Sequence, residues 1–129
     1  ATGHISPEES LILCREGRKR GVNMILTHPE FPRTRIGRDD QAELAKLGVV
    51  IEKNWFNLAQ KSVMPEEMAE TIRTVGSGHV YLATDRGQKG APTPVSELKR
   101  FIAVMLTCGI AEAQIRDMVQ KVPEEVVCR

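Results

Sequence analysis

Three side chains in the sequence are candidates for holding a metal ion: His4, His28 and Asp85. His28 follows Gly21, and Asp85 follows Gly78, by the same seven residues, which predicts equivalent heights at the ends of two strands. Two imidazoles and one carboxylate suit Zn²⁺, Mn²⁺ or Fe²⁺, with a coordination position left open for water. A metal there lowers the pKa of its water toward about 7. The pattern predicts a divalent metal site, with zinc preferred by donor type, and Asp85 as the catalytic proton acceptor.

Two residues between these positions are candidates for substrate binding. Glu52 ends a short apolar run and is either a further ligand at the mouth or an ion-pair partner for Lys53, with the ion pair slightly favoured. Trp55 follows Gly48 by the same seven residues, so its ring either lines the pocket or packs in the core. A structural role is the alternative for each single histidine, and it is the role assigned to His79, which precedes its strand.

Apolar periodicity and stop signals predict the elements that must position these side chains. The capping box Ser6-Pro7-Glu8-Glu9 begins a first helix, which ends near Arg20 before Gly21. Further helices are predicted from Asp39 or Asp40 to Leu47, from about 65 to 75, from 93 to about 106, and after Gly109. Strands are predicted at 22–27, 49–52 and 79–84.

Short β-branched runs that alternate with helices predict βαβ units, a parallel sheet and right-handed crossovers. The three runs, with the residues before Gly3 as part of a fourth, indicate half of a (β/α) barrel of the TIM type in one domain, residues 1–129. Such a barrel closes with eight strands. We therefore expect a second copy or the remainder of a longer barrel to cover the sheet; an open doubly wound sheet is the other arrangement.

Composition limits the partners and the compartment. Eighteen basic and seventeen acidic side chains leave a net charge of +1, which gives no reason to expect nucleic acid as a partner. No apolar stretch approaches the roughly 20 residues that span a bilayer, so no membrane partner is expected. The three cysteines lack CxxC spacing, and no signal-peptide pattern is present, so we expect a reducing cytoplasm.

Most of the chain also carries segments of a known pattern. They are Thr2-Gly3-His4-Ile5-Ser6-Pro7-Glu8-Glu9, Leu26-Thr27-His28-Pro29-Glu30-Phe31-Pro32, Ala83-Thr84-Asp85-Arg86-Gly87-Gln88 and the final helix after Gly109. These segments resemble the second half of a metal-dependent, amidohydrolase-like family of (β/α)8 barrels. The resemblance implies that His4 and His28 match its metal-binding histidines on the fifth and sixth strands, and that Asp85 matches the eighth-strand aspartate.

The resemblance implies a hydrolase that cleaves an amide, ester or phosphoester bond of a small-molecule substrate. The first-strand His-x-His pair and the bridging lysine of such barrels have no counterpart in this chain. This favours an alternative of another class, a non-catalytic truncated half-barrel that self-associates through its apolar inner face. A third reading, an open doubly wound binding domain, lacks a Gly-x-Gly-x-x-Gly or Walker sequence to support nucleotide binding.

Overall fold

Three short parallel strands form the sheet in the computed structural model, which describes residues 1–128. The strands are β1 (Ile25–Leu26), β2 (Val50–Asn54) and β3 (Val80–Ala83), and they lie in the order β1-β2-β3. The helices are α1 (Pro7–Lys19), α2 (Arg38–Lys46), α3 (Trp55–Ala59), α4 (Pro65–Val75), α5 (Pro94–Thr107), α6 (Glu112–Arg116) and α7 (Val122–Val127). A 3₁₀ turn, Ser77–His79, precedes β3, and a π-helical turn, Asp117–Lys121, joins α6 to α7. The predicted mixed α/β class with a parallel sheet is confirmed.

The amino terminus lies along the free edge of β1. The Thr2 backbone N–H donates to the Ile25 carbonyl at 2.9 Å, and the Thr27 N–H donates to Thr2 Oγ1 at 3.0 Å. No strand is assigned to this segment in the described part of the chain. Thr2 nevertheless occupies the place beside β1 where the sequence predicted the end of a further strand.

The starts of α1 and α5 follow the predicted capping signals. The predicted cap of α2 at Asp39 or Asp40 was wrong, because α2 begins at Arg38 after Gly37 and both aspartates lie in its first turn. Ser6 Oγ accepts from the Glu9 N–H at 3.2 Å, while the Glu9 carboxylate accepts from the Ser6 N–H at 3.0 Å, so the predicted capping box is confirmed. Gly21 has a φ of 74°, a conformation open to glycine at the end of a helix. Thr93 caps α5 by accepting from the Ser96 N–H, also as predicted.

Several predicted boundaries were wrong. The first strand covers Ile25–Leu26 instead of 22–27, because the chain after Gly21 is still turning away from α1. The second strand extends two residues beyond Glu52 to Asn54, and the short helix α3 was not predicted. Asn54 explains both errors, since it ends the strand and its side chain caps the helix by accepting from the Asn57 N–H.

The two faces of the sheet differ in composition. Leu26, Ile51 and Val80 are register partners and are fully buried against the helical layer. That layer contributes a second set of buried apolar side chains, from α2, α4 and α5: Leu44, Met68, Ile72, Phe101 and Met105.

The opposite face carries polar and half-buried residues. Glu52 and Tyr81 are paired there in the ladder. Val126 of α7 lines a small cavity together with Ile25 and Val50, at the amino-terminal ends of β1 and β2. Among the described helices, none has both the length and the apolar character needed to cross a membrane.

Candidate functional site

One cavity collects the three predicted metal ligands. His4, His28 and Asp85 line it together with Phe31 and Phe56, and its volume is about 230 Å³. His4 precedes α1, His28 follows β1 and Asp85 follows β3, so three separate segments meet at the carboxyl ends of the strands. This is the edge at which parallel α/β folds place their ligands.

His28 and Asp85 share an unusual backbone conformation. Their φ angles are 52° and 50°, in the left-handed region that side chains other than glycine rarely adopt. Such residues cost on the order of 1–3 kcal/mol and cluster at functional sites. In both segments the left-handed residue lies two residues after the end of the strand. The glycine that ends α4 is Gly76, however, and Gly78 lies in the 3₁₀ turn, so the equal spacing from Gly21 and Gly78 does not reflect equivalent helix ends.

The two histidines are in direct contact. The imidazole rings of His4 and His28 stack with centroids 4.9 Å apart and an interplanar angle of 30°. The ring of Phe31 meets His4 edge-on at 6.2 Å and lies 6.4 Å from His28. His4 is exposed at the rim, whereas His28 is half-buried.

His28 is bound to β2 through one ring nitrogen. The side-chain amide nitrogen of Asn54 is in hydrogen-bond contact with His28 Nδ1, and Glu52 Oε1 lies 3.4 Å from the same atom. Within residues 1–128, His28 Nε2 has no hydrogen-bond partner. Nε2 is therefore the nitrogen that remains available for a metal or substrate.

Glu52 is held by its neighbours on the same face of the sheet. Tyr81 donates its hydroxyl hydrogen to Glu52 Oε2 at 2.8 Å, and the Asn54 amide donates to Oε1 at 3.0 Å. Burial, reinforced by the Glu52 carboxylate that accepts its hydrogen bond, raises the pKa of Tyr81 far above its usual range. Glu52 does not line the cavity; it contacts the site through His28.

The predicted ion pair between Glu52 and Lys53 was wrong. Adjacent strand residues point to opposite faces, so Lys53 is fully buried on the helical side, where it pairs with Glu30 and donates to Gln41 Oε1 at 2.6 Å. Burial lowers the pKa of Lys53, and the Glu30 carboxylate partly offsets that effect. This network ties the segment after His28 to the sheet.

Trp55 lies beside the cavity and does not line it. Its indole N–H donates to the buried Glu97, and its ring lies 5.9 Å from that of Phe101. Phe56, the next residue, lines the cavity instead, with the Arg86 guanidinium 5.8 Å from its ring centroid. The short helix α3 directs the rings of Trp55 and Phe56 to different sides. This helix was not predicted from the sequence.

Sequence reasoning overlooked the polar residues under His28. Asn54 and Tyr81 had no assigned role, yet they join Glu52 to the histidine. The alternation of Glu52 and Asn54 in an otherwise apolar segment is the signal that would have identified them, because residues two apart in a strand share a face.

The side chains at the cavity are of the types that bind a metal, but their positions do not form a coordination site. Two imidazoles and a carboxylate are ordinary zinc ligands. Across residues 1–128, however, no three His, Cys, Asp or Glu side chains are grouped as a ready coordination site. His4, His28 and Asp85 share a cavity, and binding one ion requires their side chains to turn toward a common point.

Comparison with known proteins gives one match, over the amino-terminal part of the chain. Residues 1–52 are similar to a protein family described as a family of unknown function (DUF6282). The matched segment contains His4, His28 and Glu52 and ends before Asp85. No curated protein and no solved structure matches the chain.

Proposed function

We propose that this chain provides metal-binding residues of an amidohydrolase-like hydrolase that cleaves an amide, ester or phosphoester bond in a small molecule. The observation that carries the proposal is the shared left-handed backbone of His28 and Asp85, which bring their side chains to one cavity with His4. Backbone strain of this kind is found at functional sites, where a relaxed turn would place the side chain in the wrong position.

Each of the three residues has a distinct role in this proposal. His4 and His28 bind the metal through ring nitrogens, and for His28 the nitrogen is Nε2, since Nδ1 is occupied by contacts to β2. A divalent ion, with zinc preferred over manganese or iron, supplies Lewis-acid activation of water. Asp85 is exposed at the rim, where it binds the ion and accepts a proton from water.

The proposed fold at the finer level is the carboxyl-terminal half of a TIM-type barrel. The sheet order, the parallel register and the position of Thr2 beside β1 support it. Side chains on two flanks support it as well: Ile12 on α1 is 62% exposed and Val95 on α5 is 66% exposed. In a closed barrel, the neighbouring helices of the other half would cover these flanks.

Metal content and activity test this function together. The purified chain should hold close to one zinc, manganese or iron ion by elemental analysis. It should hydrolyse small aryl esters, amides or phosphoesters, and a chelator should abolish that activity. A chain that binds none of these ions when they are supplied in excess would contradict the proposal.

A self-associating, non-catalytic half-barrel is the second candidate. The predicted apolar inner face was wrong, since Glu52, Asn54 and Tyr81 lie there, but the exposed apolar flanks still favour association. Two copies would supply the strands that one chain lacks. Light scattering coupled to size exclusion should then give twice the mass of the chain, 14.4 kDa, and Ile12→Glu should shift the mass toward the monomer. A monomer at all concentrations, with no hydrolytic activity, would contradict this candidate.

A further inference from the structure

A polar cluster under the cavity contacts His28 Nδ1. It consists of Glu52, Asn54 and Tyr81, all on the face of the sheet opposite the helical core. Glu52 and Asn54 are buried, and Tyr81 is half-buried. Polar groups in such a place are retained when their hydrogen bonds fix a geometry that an apolar residue could not.

The orientation of the Asn54 amide is fixed by the helix that follows. Asn54 Oδ1 accepts from the Asn57 backbone N–H at 3.2 Å, as the cap of α3. Its NH₂ group must therefore point the other way, toward Glu52 and His28. Because an NH₂ group only donates, its contact with His28 Nδ1 requires that Nδ1 accept, which leaves the proton of the neutral imidazole on Nε2.

Glu52 supports the opposite arrangement. Its Oε1 lies 3.4 Å from His28 Nδ1, and a carboxylate only accepts. When the proton is on Nδ1, Glu52 is the acceptor that the described structure offers, and Nε2 then presents a lone pair to the cavity. Tyr81 donates to the other oxygen of Glu52 at 2.8 Å and competes with His28 as a donor to that carboxylate.

We propose that Asn54 and Glu52 set the tautomer of His28, and that Glu52 is the positioning residue that lets Nε2 serve as a ligand. With the proton on Nε2, His28 donates a hydrogen bond into the cavity. With the proton on Nδ1, held by Glu52, Nε2 can bind a metal. The tautomer is a property of the metal-free chain, and only the ligand step rests on the proposed function.

Exchanging the acid and the amide tests this assignment. The swap variant Glu52→Gln with Asn54→Asp keeps one carboxylate and one amide under His28, and aspartate also serves as a helix cap. An aspartate at position 54 has only acceptor oxygens, so it favours a proton on His28 Nδ1. Nitrogen-15 spectra of histidine-labelled, metal-free protein at about pH 9, where ordinary imidazoles are neutral, report the tautomer directly.

We expect the Nε2–H tautomer of His28 in the unmodified chain and the Nδ1–H tautomer in the swap variant. His79 lies outside the cavity and serves as the internal reference, with resonances that should not move. The same tautomer in both proteins would overturn the proposal. Should the swap variant fail to fold, Tyr81→Phe frees the Glu52 carboxylate and should increase the Nδ1–H population; an unchanged population would also overturn it.

Zinc titration tests the ligand step separately. Glu52→Gln alone should weaken zinc binding roughly 10- to 100-fold, as expected for the loss of a carboxylate behind a ligating histidine, and the swap variant should restore it. Equal affinity in the unmodified chain and in Glu52→Gln would overturn the role of Glu52. Absence of zinc binding in every protein, together with the expected tautomer change, would reject the proposed function and leave the tautomer assignment standing.

Discussion

His28 and Asp85 lie in different loops, 57 positions apart in the sequence, yet they share a left-handed backbone with φ of 52° and 50° (85 − 28 = 57). Each follows an outer strand of the three-stranded sheet, and both side chains line the same cavity. The site is therefore built from two equivalent, strained turns.

Asp85→Gly should stabilise the fold while weakening metal binding. A left-handed conformation costs a residue other than glycine about 1–2 kcal/mol, and replacement by glycine removes that cost. Glycine loses more backbone entropy on folding, which cancels about 0.5–1 kcal/mol of the gain. We expect the free energy of unfolding in urea to rise by about 0.5 kcal/mol, with zinc affinity at least tenfold lower. Lys61 is the matched control, because its φ is 56° and it lies outside the cavity. Lys61→Gly should stabilise by a similar amount and leave zinc affinity unchanged; a loss of stability in both variants would count against backbone strain.

Glu30→Gln should be strongly destabilising. It removes the carboxylate that pairs with the fully buried Lys53 ammonium, and an uncompensated buried charge costs about 3 kcal/mol or more. Lys53→Met in the same background should recover part of the loss, because the charge is then gone. Urea unfolding of Glu30→Gln, of Lys53→Met and of the double variant measures this, and additive losses would show that the pair does not act as a unit.

The same pair predicts a dependence of stability on pH. Burial holds the pKa of Lys53 below its ordinary value of 10.5, so between the folded-state pKa and 10.5 the unfolded chain binds more protons. The free energy of unfolding should therefore rise with pH across that window. Glu30→Gln should extend this window to lower pH, so that the free energy of unfolding rises over a wider range below pH 10.5, whereas Lys53→Met should show no such rise. Parallel pH profiles for these two variants would contradict the assignment.

Glu97→Ala should destabilise the fold and change the surroundings of Trp55, the only tryptophan in the sequence. Buried Glu97 accepts from the Trp55 indole, from Arg86 Nε at 3.1 Å and from the exposed Arg100 at 3.1 Å, so its removal leaves three donors without this acceptor. We expect a loss of about 3 kcal/mol and a shift in tryptophan emission. Arg100→Ala is the control, since its side chain is 63% exposed and its bridge to Glu97 contributes at most about 1 kcal/mol. Unchanged emission in Glu97→Ala would contradict the contact.

Local signals in the sequence predicted the framework well. The capping box at Ser6 and the Pro-containing start of α5 each encode their hydrogen bonds within three residues, so periodicity and caps were sufficient. His28 and Asp85 lie two residues beyond their strands, at the strand ends where the sequence predicted them. The glycine spacing behind that prediction compares different positions, since Gly21 follows α1 and Gly78 lies in the 3₁₀ turn after α4.

Contacts that depend on which way a strand faces could not be read in the same way. Lys53 looked like a surface partner for Glu52, but its position in the pleat sends it to the helical core and to Glu30, 23 residues earlier. The strand continued to Asn54 and a helix began at Trp55, which moved the indole away from the cavity. Tertiary packing decided these placements, and no local pattern records it.

Zinc titration of the metal-free chain tests the central claim most directly. Calorimetry on the unmodified chain should show one site, and His28→Ala and Asp85→Asn should each weaken binding at least tenfold. His79→Ala is the matched histidine control, since it lies outside the cavity, and it should bind as the unmodified chain does. Equal zinc affinity in the His28→Ala and His79→Ala proteins would contradict a metal site at this cavity.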